Sequence, residues 1–335
     1  MAKVVGVFNT VHSPFCFMAP EHWNEVRANR SLREDVPIDD LEANQQKYQR
    51  IQDAFGVLKE KLYGTQPDII VMYGDDQLES FDFTNFPPFA VYVGDEYEGP
   101  LPSRDASQTG TMRARNGETA PPERAHMTSK SDIAVGLLTG LMERNFDPAF
   151  CMDMPKPEKG MGHAFMRPAA AITDLKTPVL PVLVNCYFAP QPTAQRCYEF
   201  GLAVREAIES LDSDSRVAIV GSGGLWHTPG AKDAYLDEDF DRTILSHLEA
   251  GDAQGMAEAF DTYKIPEGDT SQYVGERTRL STGMPGFGGP QGGTREICNW
   301  VAAAAATGGS KSTIIDYIPV YASPIGAGFS YCTNP

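Results

Sequence analysis

The chain lacks several features that would settle its class at once. Its longest apolar runs, such as TPVLPVLVNCYF at Thr177–Phe188, are too short and too broken by proline to span a bilayer. Positive charge is scarce: 28 Lys and Arg stand against 45 Asp and Glu, a net charge of −17, with no basic patch to hold a phosphate backbone. Nucleic acid and membrane are therefore excluded as expected partners, and the scattered acid reads as a solvated surface. The six cysteines (Cys16, Cys151, Cys186, Cys197, Cys298, Cys332) form no CxxC pair. That spacing excludes a zinc ribbon, an iron–sulfur cluster and a disulfide scaffold, and leaves buried free thiols. No GxSxG elbow, P-loop or HExxH is present. The GSGG at Gly221–Gly224 lacks the third glycine and the following helix of a dinucleotide fingerprint, so no nucleotide cofactor is expected. MAKVVGVFNT enters a strand pattern directly, without the apolar core of a secretory signal, and the expected location is cytoplasmic.

What is present is an alternation of short β-branched runs with long helical stretches, the pattern of an α/β fold. Strands are expected at 3–8, 68–73, 89–93, 179–185, 216–221 and 313–320, and helices within 20–63 and at 129–143, 193–211, 240–248, 253–263 and 294–306. Without a repeat or a proline-rich linker, residues 1–335 read as one domain, a sheet core with flanking helices. The polar stretches 100–124 and 270–293 are long for a compact domain and read as pocket-shaping loops.

The chemistry lies in histidine and carboxylate. His12 in NTVHSP and His227 in VGSGGLWH each follow a strand, at the edge where ligands bind in open α/β sheets. Either alone would serve equally well to finish a turn. Glu296 in GGTREICNW sits at a helix start, where the helix dipole alone would favour a carboxylate, yet its glycine-rich approach suits close contact. His163 in KGMGHAFMRP precedes an apolar segment, while His22, His126 and His247 read as surface residues. Arg295 is able to pair with a substrate carboxylate, although an exposed arginine at a helix start is the more common arrangement. Two imidazoles with one carboxylate suit a divalent metal with open positions, the donor set of ferrous oxygenases.

Taken in order, these stretches resemble the LigB-type, or class III, extradiol ring-cleaving dioxygenases. The likeness runs through His12 and Pro14, PDIIVMYGD at Pro67–Asp75 leading into DQLESF at Asp76–Phe81, and His163. It continues through PVLVNCYFAPQPTAQRCYEFGLAVREAI at Pro181–Ile208, GSGGLWH at Gly221–His227, DFDRTIL at Asp239–Leu245 and TREICNW at Thr294–Trp300. The resemblance implies a LigB-like domain holding Fe2+, with His12 and Glu296 as two metal ligands. It implies that His227 is the acid/base that steers oxygen and His163 a second catalytic pocket histidine. The third ligand position, a histidine in the family's DH pair, falls on Gln77, a neutral and weaker donor, with Glu79 two residues on as a substitute.

The implied reaction is ring opening of a small catechol-like or aminophenol-like aromatic with O2, in a chain that forms a homodimer or pairs with a small helical subunit. The exchange at Gln77 leaves two alternatives: a hydrolase, decarboxylase or lyase on the same scaffold with an altered or lost metal site, and a non-catalytic partner subunit.

Overall fold

A computed structural model describes residues 1–104, 122–228, 231–267 and 288–335. The expected loops 100–124 and 270–293 lie largely outside those residues. A mixed eight-stranded sheet organises the chain, in the order β6-β3-β7-β2-β8-β1-β10-β9. The strands are β1 (Lys3–Thr10), β2 (Ile69–Gly74), β3 (Phe89–Tyr92), β6 (Ala149–Cys151), β7 (Val179–Val184), β8 (Arg216–Ser222), β9 (Thr313–Val320) and β10 (Ile325–Thr333). A separate hairpin pairs β4 (Glu96–Pro100) with β5 (Arg124–Thr128).

The middle four strands, β7, β2, β8 and β1, are mutually parallel. Antiparallel pairing closes both flanks, β3 on β7 and β10 on β1. Parallel strands of this kind are buried on both faces, and the apolar runs follow from that. Alternate residues go to opposite layers: Ile69, Val71 and Tyr73 of β2 enter one core, Ile70 and Met72 the other. The first layer is covered by α3 (Ser131–Glu143), α5 (Ala194–Ser210), α6 (Glu238–Ala250), α7 (Ala253–Asp261) and α8 (Ile297–Ala305); the second by α2 (Leu41–Gly64) and α4 (His163–Ile172).

All six expected strands form, with ends shifted by at most two residues. The helical region expected over 20–63 splits into a short α1 (Trp23–Arg27) and α2, because SLREDVPIDD between them offers a proline and then the Asp40 cap, whose carboxylate accepts from Ala43 N. Four strands and α4 are additions to the expected set. β10 is glycine-rich and α4 carries an internal Pro168, so neither gives a clean periodic signal. The cysteines are free, and all but the half-buried Cys151 are buried. Among the described residues no helix is long and apolar enough to cross a membrane.

Candidate metal centre

The carboxyl ends of the parallel strands bring the distant motifs together. His12 lies just beyond β1, Asp75 is the first residue past β2, Tyr187 follows β7, and the glycine turn after β8 leads to His227. Glu296 ends a 3-10 turn, Gly292–Glu296, that runs directly into α8. Gly223, at φ +100°, passes between the donors: a Cβ there would meet Glu296 Cβ and His12 Cε1, each at 2.8 Å.

His12, Asp75 and Glu296 form a fully buried trio whose ligand atoms lie within 4.8 Å of one another. The tautomer of His12 follows from its partners. The Ser222 hydroxyl donates to Ala164 O, so its oxygen must accept from His12 Nδ1 at 2.9 Å. Nε2 therefore carries a lone pair, and burial also holds the His12 pKa down, in the neutral form. That lone pair faces Glu296 Oε2 at 3.0 Å and Asp75 Oδ1 at 3.5 Å without a hydrogen bond to either.

Lone pairs opposed at this distance repel unless a cation lies between them. Two donors bound at right angles at about 2.1 Å stand about 3 Å apart, the separation seen here. Both Asp75 oxygens are buried with no hydrogen-bond partner, and burial followed by the charge of Glu296 pushes the Asp75 pKa well up. The trio fits a divalent cation on these grounds, by the chemistry of its donors and by its orphaned atoms.

Glu296 is held on both oxygens. Oε1 accepts from the Tyr187 hydroxyl at 2.7 Å and lies 3.4 Å from His227 Nε2; Oε2 accepts from Gly224 N at 3.4 Å. Burial alone would raise its pKa; only positive charge on the facing imidazoles holds the carboxyl below the usual range. His227 donates from Nδ1 to Leu225 O at 3.1 Å, leaving Nε2 toward the centre. For this ring, burial is outweighed by the charge of Glu296, so its pKa rises. Thr294, which the sequence offers as a helix start, instead locks His227: its hydroxyl accepts from His227 N at 3.0 Å and donates to His227 O at 3.1 Å. Gly293 lies flat against the ring, where a Cβ would meet Nε2 at 2.3 Å.

His163 starts α4 and packs edge-on to His12, with ring centroids 4.9 Å apart. The three surface histidines stay away from the centre and pair with carboxylates: His22 with Glu25, His126 with Glu96, His247 with Asp252.

Asp75, an acid the resemblance did not offer as a ligand, stands with His12 and Glu296. β2 ends at Gly74, and the carboxylate of Asp76 then accepts from Glu79 N, Ser80 N and Phe81 N, folding the chain back at once. Gln77 falls on that bend, half-buried. Glu79 places both carboxylate oxygens 2.8 Å from His163 Nδ1. Arg295 is fully buried rather than exposed, donating to the carbonyls of Gly288, Pro290 and Pro192. Asp75 and Tyr187 are the residues that sequence reasoning missed; the signal for each was its place just past a parallel strand.

Comparison with known proteins places these residues among relatives. Residues 36–322, most of the chain, match the family described as the catalytic LigB subunit of aromatic ring-opening dioxygenase. The match contains Asp75, His163, His227 and Glu296 and begins after His12. A gallate dioxygenase of Pseudomonas putida is 34% identical over 148 residues, 43% of this chain and 41% of the relative. Enzymes named 2,3-dihydroxyphenylpropionate/2,3-dihydroxicinnamic acid 1,2-dioxygenase are similar too. The one from Photorhabdus laumondii is 26% identical over 181 residues (53% of this chain, 49% of the relative). One from Escherichia coli is 27% identical over 178 residues (51% and 47%). The chain spans about half the length of the curated relatives it matches.

Proposed function

Because the chain belongs to the LigB family of catalytic subunits of aromatic ring-opening dioxygenases, we propose that residues 1–335 form one catalytic domain that opens a catechol-like or aminophenol-like ring with O2. The observation that carries this reading is the buried trio, in which the Asp75 oxygens and His12 Nε2 have no partner but a cation to satisfy them. His12, Asp75 and Glu296 would hold that cation, with Fe2+ the ion that the family favours. When bound, it would supply positive charge and orientation for two neighbouring ring oxygens and for dioxygen.

The chain's own residues handle the protons. His227 Nε2 accepts a proton from a ring hydroxyl as the ring opens and returns it to the product, and its ring is steadied for this by Leu225 O and Thr294. The Tyr187 hydroxyl and Gly224 N keep Glu296 from rotating, so that one oxygen serves His12's side of the centre and the other His227. His163 borders the same space and offers a second contact to the substrate. The net acidity of the chain is no obstacle to an acidic aromatic, since a divalent ion dominates the field at its own site.

One imidazole with two carboxylates is a harder donor set than two imidazoles with one carboxylate. This favours, as a second reading, metal-assisted hydrolysis or lyase chemistry on the same scaffold. Protein purified without oxygen and loaded with Fe2+ tests both. The oxygenase reading expects one Fe2+ per chain, O2 uptake with a panel of catechols and aminophenols, and a yellow ring-opened product. Turnover indifferent to O2, supported by Zn2+ or Mg2+, would replace it with the second reading.

A further inference from the structure

Beside the trio stands a pair that the proposed chemistry leaves unexplained. Glu79 lies on the bend after β2, held there as its backbone N donates to Asp76, and its carboxylate reaches the first residue of α4. Both Glu79 oxygens lie 2.8 Å from His163 Nδ1, and Oε1 also accepts from His163 N at 3.2 Å. Gly162 leaves the room for this, since a Cβ there would stand 2.8 Å from Glu79 Oε2.

A carboxylate only accepts, so the nitrogen it grips on both oxygens must be the donor. Burial favours a neutral Glu79, but His163, its hydrogen bonds and Arg167 win, and the acid titrates near pH 2. The second nitrogen, Nε2, lies across the ring from Glu79 and makes no hydrogen bond to any described residue. Through the next residue the same helix start is tied to the centre: Ala164 O accepts from Ser222, which in turn holds His12. His163 and His12 are thus mounted on one hydrogen-bond chain, with their rings edge to face.

We propose that Glu79 is a positioning residue: it fixes His163 with its proton on Nδ1 and turns Nε2 to the hydroxyl or carboxylate of an aromatic substrate beside His12. This rests on the ring-opening reading for its substrate class and on geometry alone for the Glu79–His163 unit. It also assigns Glu79 a task other than binding metal, since both of its oxygens are committed to His163. Carboxylates that orient a site histidine in this way are worth about 10–100-fold in activity elsewhere.

The test is a double-mutant cycle on the Fe2+-loaded full chain with Glu79→Gln, His163→Gln and the double variant, together with 15N NMR of the His163 tautomer. The expected result is a loss of about 10–100-fold in kcat/KM for Glu79→Gln, no further loss when it is added to His163→Gln, unchanged iron content, and a shift of the tautomer away from Nδ1–H. If Glu79→Gln does not fold, Gly162→Ala, which displaces Oε2, serves in its place with the same expected signs. An equal loss in both backgrounds would reduce Glu79 to a helix cap; loss of iron would make it a metal residue; an unmoved tautomer would also overturn the proposal. Should no catechol or aminophenol be turned over, the NMR result still decides the Glu79–His163 unit while the ring-opening reading fails.

Discussion

Two buried aspartates in this protein live opposite lives. Asp241, on α6, is fully saturated: Oδ1 accepts from Trp226 N and Oδ2 from the Tyr317 hydroxyl, each at 2.8 Å. Asp75, equally buried, has no hydrogen-bond partner for either oxygen. Burial pushes both pKa values up, that of Asp241 to about 7. The difference lies in what would restore balance. Asp241 is served by the protein itself and secures the residue next to His227; Asp75 is left to something that binds. Partner inventory, more than burial or charge, separates a structural acid from a binding one.

The sharpest way to break this comparison is to remove Asp75. In Asp75→Asn, affinity for a divalent metal should fall by at least about 100-fold, as expected when a coordinating anion becomes neutral. Calorimetry and thermal melts would read it: metal should raise the Tm of the parent protein and leave that of the variant nearly unchanged. Equal metal-induced shifts in both would show that Asp75 is no donor.

Next in size is Gly293→Ala, which pushes on His227 without touching Asp75. A methyl group at 2.3 Å from Nε2 must move the ring. Displacing a reacting group by about 1 Å can cost about 100-fold, so kcat should drop by that order while metal content stays constant.

Asp241 makes the contrast visible in pH. Its folded pKa of about 7 stands above the unfolded value of about 3.8. The stability it contributes is fully present below the unfolded value and is lost as pH rises through the folded one. Stability should therefore decline between about pH 4 and pH 7, by on the order of a few kcal/mol, and Asp241→Asn should flatten that slope in denaturant titrations across the range. A slope that survives the substitution would assign it to another group.

The smallest effect is expected at Gln77. With Asp75 as the third donor, Gln77→Ala should change metal affinity by no more than about threefold, under about 1 kcal/mol. A loss as large as that of Asp75→Asn would return the donor role to the amide.

Much of this was legible in the sequence because the parallel strands are buried on both faces and read as unbroken apolar runs. His12, His227 and Glu296 were visible for a related reason: each follows a strand or opens a helix, and such ends converge. Asp75 was not, because two adjacent aspartates past β2 look alike until their partners are known. Asp76 spends its oxygens on three backbone N–H groups of the bend, and only that fact frees Asp75 for the centre. Arg295 misled for the opposite reason. An arginine at a helix start is usually exposed, and its burial depends on carbonyls from segments distant in the chain.

His12, Asp75 and Glu296 are spread over nearly the whole chain and belong to three separate crossovers of the sheet. An ion joining them would act as a cross-link, closing loops far longer than any hairpin and removing conformations that only the unfolded chain can reach. The centre thus couples binding to chain topology: an ion that satisfied Asp75 and His12 would also hold the carboxyl edge of the sheet shut.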